Sequence, residues 1–133
     1  DRIRYLDQTK NWIGFNDYNL RVLWLALALN TPNYNADAAA LSKELIQYSS
    51  LDFEASTRQN ALESLIGFQI IKPEVLHNLV NATTHHLWQF SKFGRDNIRK
   101  LLKDPKYRTT FEELLPVLNE NEKSQLNRLL VEK

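Results

Sequence analysis

The sequence predicts an all-α fold of about seven or eight short helices. Apolar residues recur at helical spacing along most of the chain, and no apolar–polar alternation typical of strands is present. The 133 residues include only 3 Gly and 4 Pro, while 43% are hydrophobic, which allows a sizeable core. We therefore expect a single helical domain over residues 1–133.

The strongest amphipathic pattern lies in residues 87–102. On a helix, one stripe would consist of Leu87, Phe90, Gly94, Ile98 and Leu101. The other side would carry Lys92, Arg95, Asp96, Arg99 and Lys100. Such an apolar stripe predicts burial against neighbouring helices.

The first half of the chain contains patterns for four helices. The first is predicted to end near Trp12, and the second to run from a cap at Asn16-Asp17 to about Leu29. The third is expected over residues 36–48 with Asn35 as its cap. The fourth lies within residues 52–70, and its start is open, since Ser49 with Asp52 and Ser56 with Gln59 both resemble capping boxes.

Four more helices are expected in the second half. Lys72-Pro73 and Asp104-Pro105 predict the starts of the fifth and seventh, because Pro suits the first helical position. Thr84 is a candidate cap for the sixth, although the fifth and sixth could also form one bent helix. Asn119, with Glu122 three residues later, predicts the start of the eighth.

Three segments share a spacing that indicates a helical repeat. Residues 21–29, 58–66 and 91–99 each begin with a polar residue, and core positions follow three and seven residues later. Those positions are Trp24 and Ala28, Ala61 and Leu65, and Gly94 and Ile98. This spacing is typical of stacked helix pairs, each of which buries its apolar face against the next.

The pairing of KPEVLHNLVNATTHH with LWQFSKFGRDNIRKLLKDP resembles HEAT-type repeats, with Lys92, Gly94 and Arg95 in the basic-then-small pattern. This resemblance implies a HEAT/ARM-like stack of antiparallel helix pairs, an α-α superhelix. The run from NWIGFNDYNLRVLWLALAL through RTTFEELLPVL is similar to the C-terminal helical domain of M1-family zinc aminopeptidases. That similarity implies a non-catalytic domain that packs on the catalytic domain of the same polypeptide and restricts substrate access.

The zinc signature of that family, H-E-x-x-H, is missing, since Leu87, Trp88 and Gln89 follow His85-His86. The resemblance therefore implies zinc in the parent enzyme and no cofactor or catalytic residue in this chain. Without cysteine, disulfides and thiolate sites are excluded. His77, His85 and His86 lack a defined ligand set, and surface or capping roles are favoured over a metal site. An unrecognised small hydrolase is the least favoured class, because no nucleophile–base pair is evident.

Charge is the one uneven property of the chain. The net charge is +1, yet residues 92–108 contain seven basic and two acidic residues. Lys92, Arg95, Arg99 and Lys103 form a candidate basic ridge for an acidic protein or nucleic acid. A solvated helix face is favoured over a nucleic-acid site, because the whole-chain charge is near zero.

Two tryptophans, Trp12 and Trp88, are candidate domain-contact aromatics because each lies near the edge of its apolar stripe. The longest apolar run, residues 22–29, is too short to cross a bilayer, so we expect a soluble chain without membrane insertion. The absence of Met leads us to expect a fragment of a larger protein or a processed product. The compartment and substrate stay open.

Overall fold

The computed structural model describes residues 2–10 and 18–132. Within these residues the chain forms eight α-helices and one short 3₁₀ helix, and no strand is present. The all-α prediction is therefore confirmed for the described residues. The chain divides into two compact units, Asp1–Ile70 and Ile71–Lys133. The prediction of a single domain stays a prediction.

The first unit is built around its second helix. Its helices are α1 (Arg2–Thr9), α2 (Tyr18–Leu29), α3 (Ala38–Tyr48) and α4 (Ala55–Gly67). Helix α2 packs against the other three, because apolar residues occupy most of its circumference. Trp24 is buried as predicted, and its indole N–H donates to the Thr9 hydroxyl at 3.0 Å.

Two predicted helix starts in the first unit are wrong. Helix α3 is capped by Asp37, whose carboxylate accepts from the N–H groups of Ala39 and Ala40, so Asn35 is not the cap. Helix α4 begins after Glu54, which makes no side-chain cap bond, and neither predicted capping box forms. Ser49 is already engaged, since its hydroxyl donates to the Ile46 carbonyl at the end of α3.

The second unit is built around the fifth helix rather than the sixth. Its helices are α5 (Pro73–Ala82), α6 (Trp88–Leu101), α7 (Pro105–Leu114) and α8 (Glu120–Leu130), with a 3₁₀ turn over Leu115–Val117. Helix α5 packs against α6, α7 and α8. Its apolar side chains Val75, Leu76, Leu79, Val80 and Ala82 are fully buried.

Most predicted starts in the second unit are confirmed. Pro73 and Pro105 begin α5 and α7, and the side chain of Asn119 forms a complete capping box with Glu122. Thr84 does not cap α6, because its hydroxyl donates to the Asn81 carbonyl. Residues 83–87 separate α5 from α6, so the single bent helix is also wrong.

Helix α6 lies close to α5 because Gly94 has no side chain. A Cβ added there would lie 3.2 Å from the Leu79 carbonyl oxygen and 3.1 Å from the Thr83 methyl group. Residue size at this contact therefore sets how near the two helices approach.

All six core positions that the repeat spacing predicts are buried.

Candidate functional site

The predicted basic ridge lies on α6 and just beyond it, and part of its charge is neutralised. Lys92 Nζ lies 2.6 Å from Asp96 Oδ2, and Arg99 Nη1 lies 3.1 Å from Asp96 Oδ1. The spacings of four and three residues place both cations beside one carboxylate on the helix surface. The hydrogen bond from Lys92, with the charge of Arg99, lowers the pKa of Asp96.

Arg99 also binds a second carboxylate, and Arg95 binds a hydroxyl group. Arg99 binds the Glu132 carboxylate through two hydrogen bonds, Nε to Oε1 at 2.8 Å and Nη2 to Oε2 at 3.2 Å. These bonds lower the pKa of Glu132 and raise that of Arg99. Arg95 donates to the Ser91 hydroxyl, which donates in turn to the Thr83 carbonyl at 2.9 Å.

Lys103, the last residue of the ridge, follows α6 and lines a surface cleft. The cleft has a volume of about 380 Å³ and lies within the second unit. We name it the α6–α8 cleft, and its lining residues are Arg99, Leu102, Lys103, Arg108, Leu129 and Glu132. Three cations and one carboxylate thus share a small concave surface with two leucines.

The cations of the cleft differ in how they are held. Arg108 Nη2 donates to the Leu130 carbonyl at 2.6 Å, which satisfies an acceptor at the end of α8. Neither Arg108 nor Lys103 forms an ion pair among the described residues. Sequence reasoning counted Arg108 in the basic segment but missed Glu132, which lies 33 positions after Arg99.

The three histidines lie on α5 and in the segment between α5 and α6. His85 Nδ1 accepts from the N–H of Leu87 at 3.1 Å, just before α6, and the His85 and His86 rings stack at 4.4 Å. His77 Nε2 lies 3.8 Å from an oxygen of the buried Glu122. In the described ranges, no three His, Asp or Glu side chains lie close enough to hold a metal ion together.

Several apolar side chains are left exposed. Trp88 is 66% exposed at the start of α6, whereas Trp12 lies outside the described residues. Leu87, predicted to be buried, is 48% exposed because it precedes the helix rather than lying within it. On α2, Leu20 and Leu23 are 49% and 59% exposed and lie one turn apart.

A polar network in the first unit joins α2 to α3. Arg21 binds Glu44 through two hydrogen bonds of 2.6 and 2.8 Å, and the Tyr48 hydroxyl donates to the same carboxylate at 3.0 Å. The bond from Arg21 lowers the pKa of Glu44, and partial burial with the nearby carboxylate raises the pKa of Tyr48 to about 12. The network connects two packed helices, so a structural role accounts for these shifts.

No family model matches the chain, and no curated protein or solved structure matches it. None of the described helices is both long enough and apolar enough to cross a membrane.

Proposed function

We propose that this chain is the non-catalytic C-terminal helical domain of a larger M1-type metallo-aminopeptidase. In this proposal it packs on the catalytic domain of the same polypeptide and restricts substrate access. The observation that carries the proposal is the exposed apolar face of α2, formed by Leu20 and Leu23. An adjoining domain that covers this face would remove both leucines from water.

The arrangement of neighbouring helices also supports the proposal. Several helices that are adjacent in sequence pack together, namely α2 with α3, α3 with α4, and α5 with α6, whereas within the described residues α6 does not pack on α7, nor α7 on α8. This pattern agrees with the HEAT/ARM-like pairing that the sequence resemblance implies. The exposed Trp88 is a second candidate contact, because a large aromatic side chain gains much from burial at an interface.

The first test is the complete coding sequence that contains these residues. We expect an upstream H-E-x-x-H motif followed by a more distant Glu, the ligand set of the zinc aminopeptidases. A complete coding sequence without this motif would overturn the proposal.

The second test uses the full-length protein encoded by that gene. Leu23→Ser should loosen the domain contact and change kcat/KM for aminoacyl anilides of different size, since access to the catalytic domain is altered. Leu51→Ser is the matched control, because Leu51 is also 63% exposed in the first unit but lies outside α2. Equal activity and equal protease sensitivity of both variants would contradict the proposed contact.

The second candidate function is a HEAT-like scaffold that binds an acidic protein or nucleic acid through the basic ridge. The observation that favours it is Lys103, which is exposed and free of ion pairs within the described part of the chain. The ion pairs of Lys92 and Arg99 weigh against it, because these cations already have carboxylate partners. Salt-dependent binding to a single-stranded oligonucleotide that is lost in Lys103→Ala would favour this candidate.

A further inference from the structure

We infer that the α6–α8 cleft binds a small organic anion, with one carboxylate or phosphate group attached to an apolar body. The inference concerns a site within the second unit and does not depend on the proposed aminopeptidase function. It rests on the charge, the apolar wall and the size of the cleft.

The charge balance of the cleft favours an anion. Among the described residues, Arg99, Lys103 and Arg108 face it together with one carboxylate, that of Glu132. Glu132 is bound by Arg99, which leaves Lys103 and Arg108 without an anionic partner in the described ranges. A carboxylate or phosphate placed between them would form charge-assisted hydrogen bonds, which are stronger than neutral ones.

The apolar wall and the size of the cleft define the rest of the ligand. Leu102 and Leu129 contribute hydrocarbon surface beside the cations. A volume of about 380 Å³ lies within the range of small-molecule sites. A single anionic group with a ring or short alkyl chain matches both surfaces.

The Glu132 carboxylate already binds the Arg99 guanidinium, so it would compete with an anionic ligand for this group. Its two oxygens accept from Nε and Nη2 of Arg99, which is the geometry a ligand carboxylate would adopt on the same guanidinium. The side chains of Arg99 and Glu132 are both partly exposed, so their ion pair contributes little to stability and can open. Neutralising Glu132 would free Arg99 and remove the repulsion of a second anion.

The test is a nuclear magnetic resonance titration of the isotopically labelled 133-residue chain. The probes are benzoate and phenyl phosphate, with inorganic phosphate and benzyl alcohol as the anion-only and apolar-only controls. We expect shifts of the amides at residues 99–104, 106–108 and 129–132, and we expect one of the two aromatic anions to bind more tightly than either control. The stronger of these two probes identifies the carboxylate or the phosphate as the anionic group.

Three variants test which side chains of the cleft bind the anion. Lys103→Ala should weaken binding about threefold to tenfold, whereas Lys100→Ala, an exposed lysine of α6 outside the cleft, should not. Glu132→Gln should tighten binding by a similar factor. No localised shifts in either the unaltered chain or Glu132→Gln would overturn the inference. Equal losses for Lys103→Ala and Lys100→Ala would show non-specific attraction and would also overturn it.

Discussion

Gln69 occupies a backbone conformation that is usually left to glycine. Its φ is 60°, and it follows α4 at the position where the chain turns away from the helix. The N–H groups of Gln69 and Ile70 donate to the carbonyls of Ile66 and Leu65 at 3.0 and 2.8 Å. These two bonds form a Schellman motif, which satisfies the last carbonyls of the helix but strains a residue that carries a Cβ.

We predict that Gln69→Gly raises the free energy of unfolding by roughly 0.5–1 kcal/mol, since the strain outweighs the added chain entropy. Asn33→Gly is the control, because Asn33 has φ of 68° but asparagine tolerates this region. Urea unfolding measures both changes. A gain for Asn33→Gly equal to that for Gln69→Gly would contradict this explanation.

Gly94 illustrates the opposite case, in which the missing side chain matters and the backbone conformation does not. Gly94→Ala should lower the free energy of unfolding by about 1–2 kcal/mol, because a Cβ would press on the Leu79 carbonyl, which cannot move aside easily. Gly67→Ala should be neutral or raise it by roughly 0.5 kcal/mol, since nothing lies within 4 Å and alanine favours a helix. Thermal unfolding of the pair tests this, and equal effects would argue against close helix contact.

At the scale of elements, the Arg21–Glu44–Tyr48 network ties α2 to α3 and makes stability depend on pH. The pKa of Glu44 is lowered in the folded chain. Its contribution to the free energy of unfolding is therefore present above the ordinary Glu pKa and is lost as the pH falls through the pKa of the folded state. The pKa of Tyr48 is raised to about 12 from its ordinary 10.0. Its contribution is present below about pH 10 and is lost as the pH rises toward about 12.

We predict that Glu44→Gln lowers the free energy of unfolding at neutral pH by about 1–2 kcal/mol and reduces its decline in acid. Glu63→Gln, on the exposed surface of α4, should change it by less than about 0.5 kcal/mol. Urea unfolding at about pH 7 and about pH 3 gives both values. The same acid dependence in the two variants would show that Glu44 does not contribute through its charge.

The alkaline side of the same network has its own measurement. In the phenolate absorbance of the folded chain, Tyr48 should titrate near pH 12, and this step should be missing in Tyr48→Phe. Burial raises the pKa of Tyr34 as well, so the late titration of Tyr34 should remain in that variant. An unchanged titration curve in Tyr48→Phe would assign the step near pH 12 to another tyrosine.

On the scale of the whole molecule, each unit is organised around one central helix, α2 in the first and α5 in the second. The apolar run of residues 22–29 predicts a helix buried on most sides, yet Leu23 within it is 59% exposed. The strongest amphipathic stripe of the sequence lies on α6. Helix α6 has only one apolar face and serves as a partner of α5, which buries five side chains completely. The strength of an amphipathic pattern therefore does not identify the central helix.

The sequence by itself determined the all-α class, the helix starts at Pro73 and Pro105, and the capping box at Asn119. These features depend on residues within one turn of each other, so local rules suffice. The choice of Asp37 over Asn35 was missed because several short polar side chains compete for one cap. The local pattern leaves that competition open.

Only the tertiary structure decided where the α6–α8 cleft lies. Its lining residues come from α6, α7 and α8 and from the segments that follow α6 and α8. Glu132 binds Arg99, although the two residues are 33 positions apart in the sequence. The same holds for Arg21 and Glu44, which are 23 positions apart. Sequence spacing reports neighbours along one helix, whereas these pairs depend on how helices pack, which the periodic pattern does not specify.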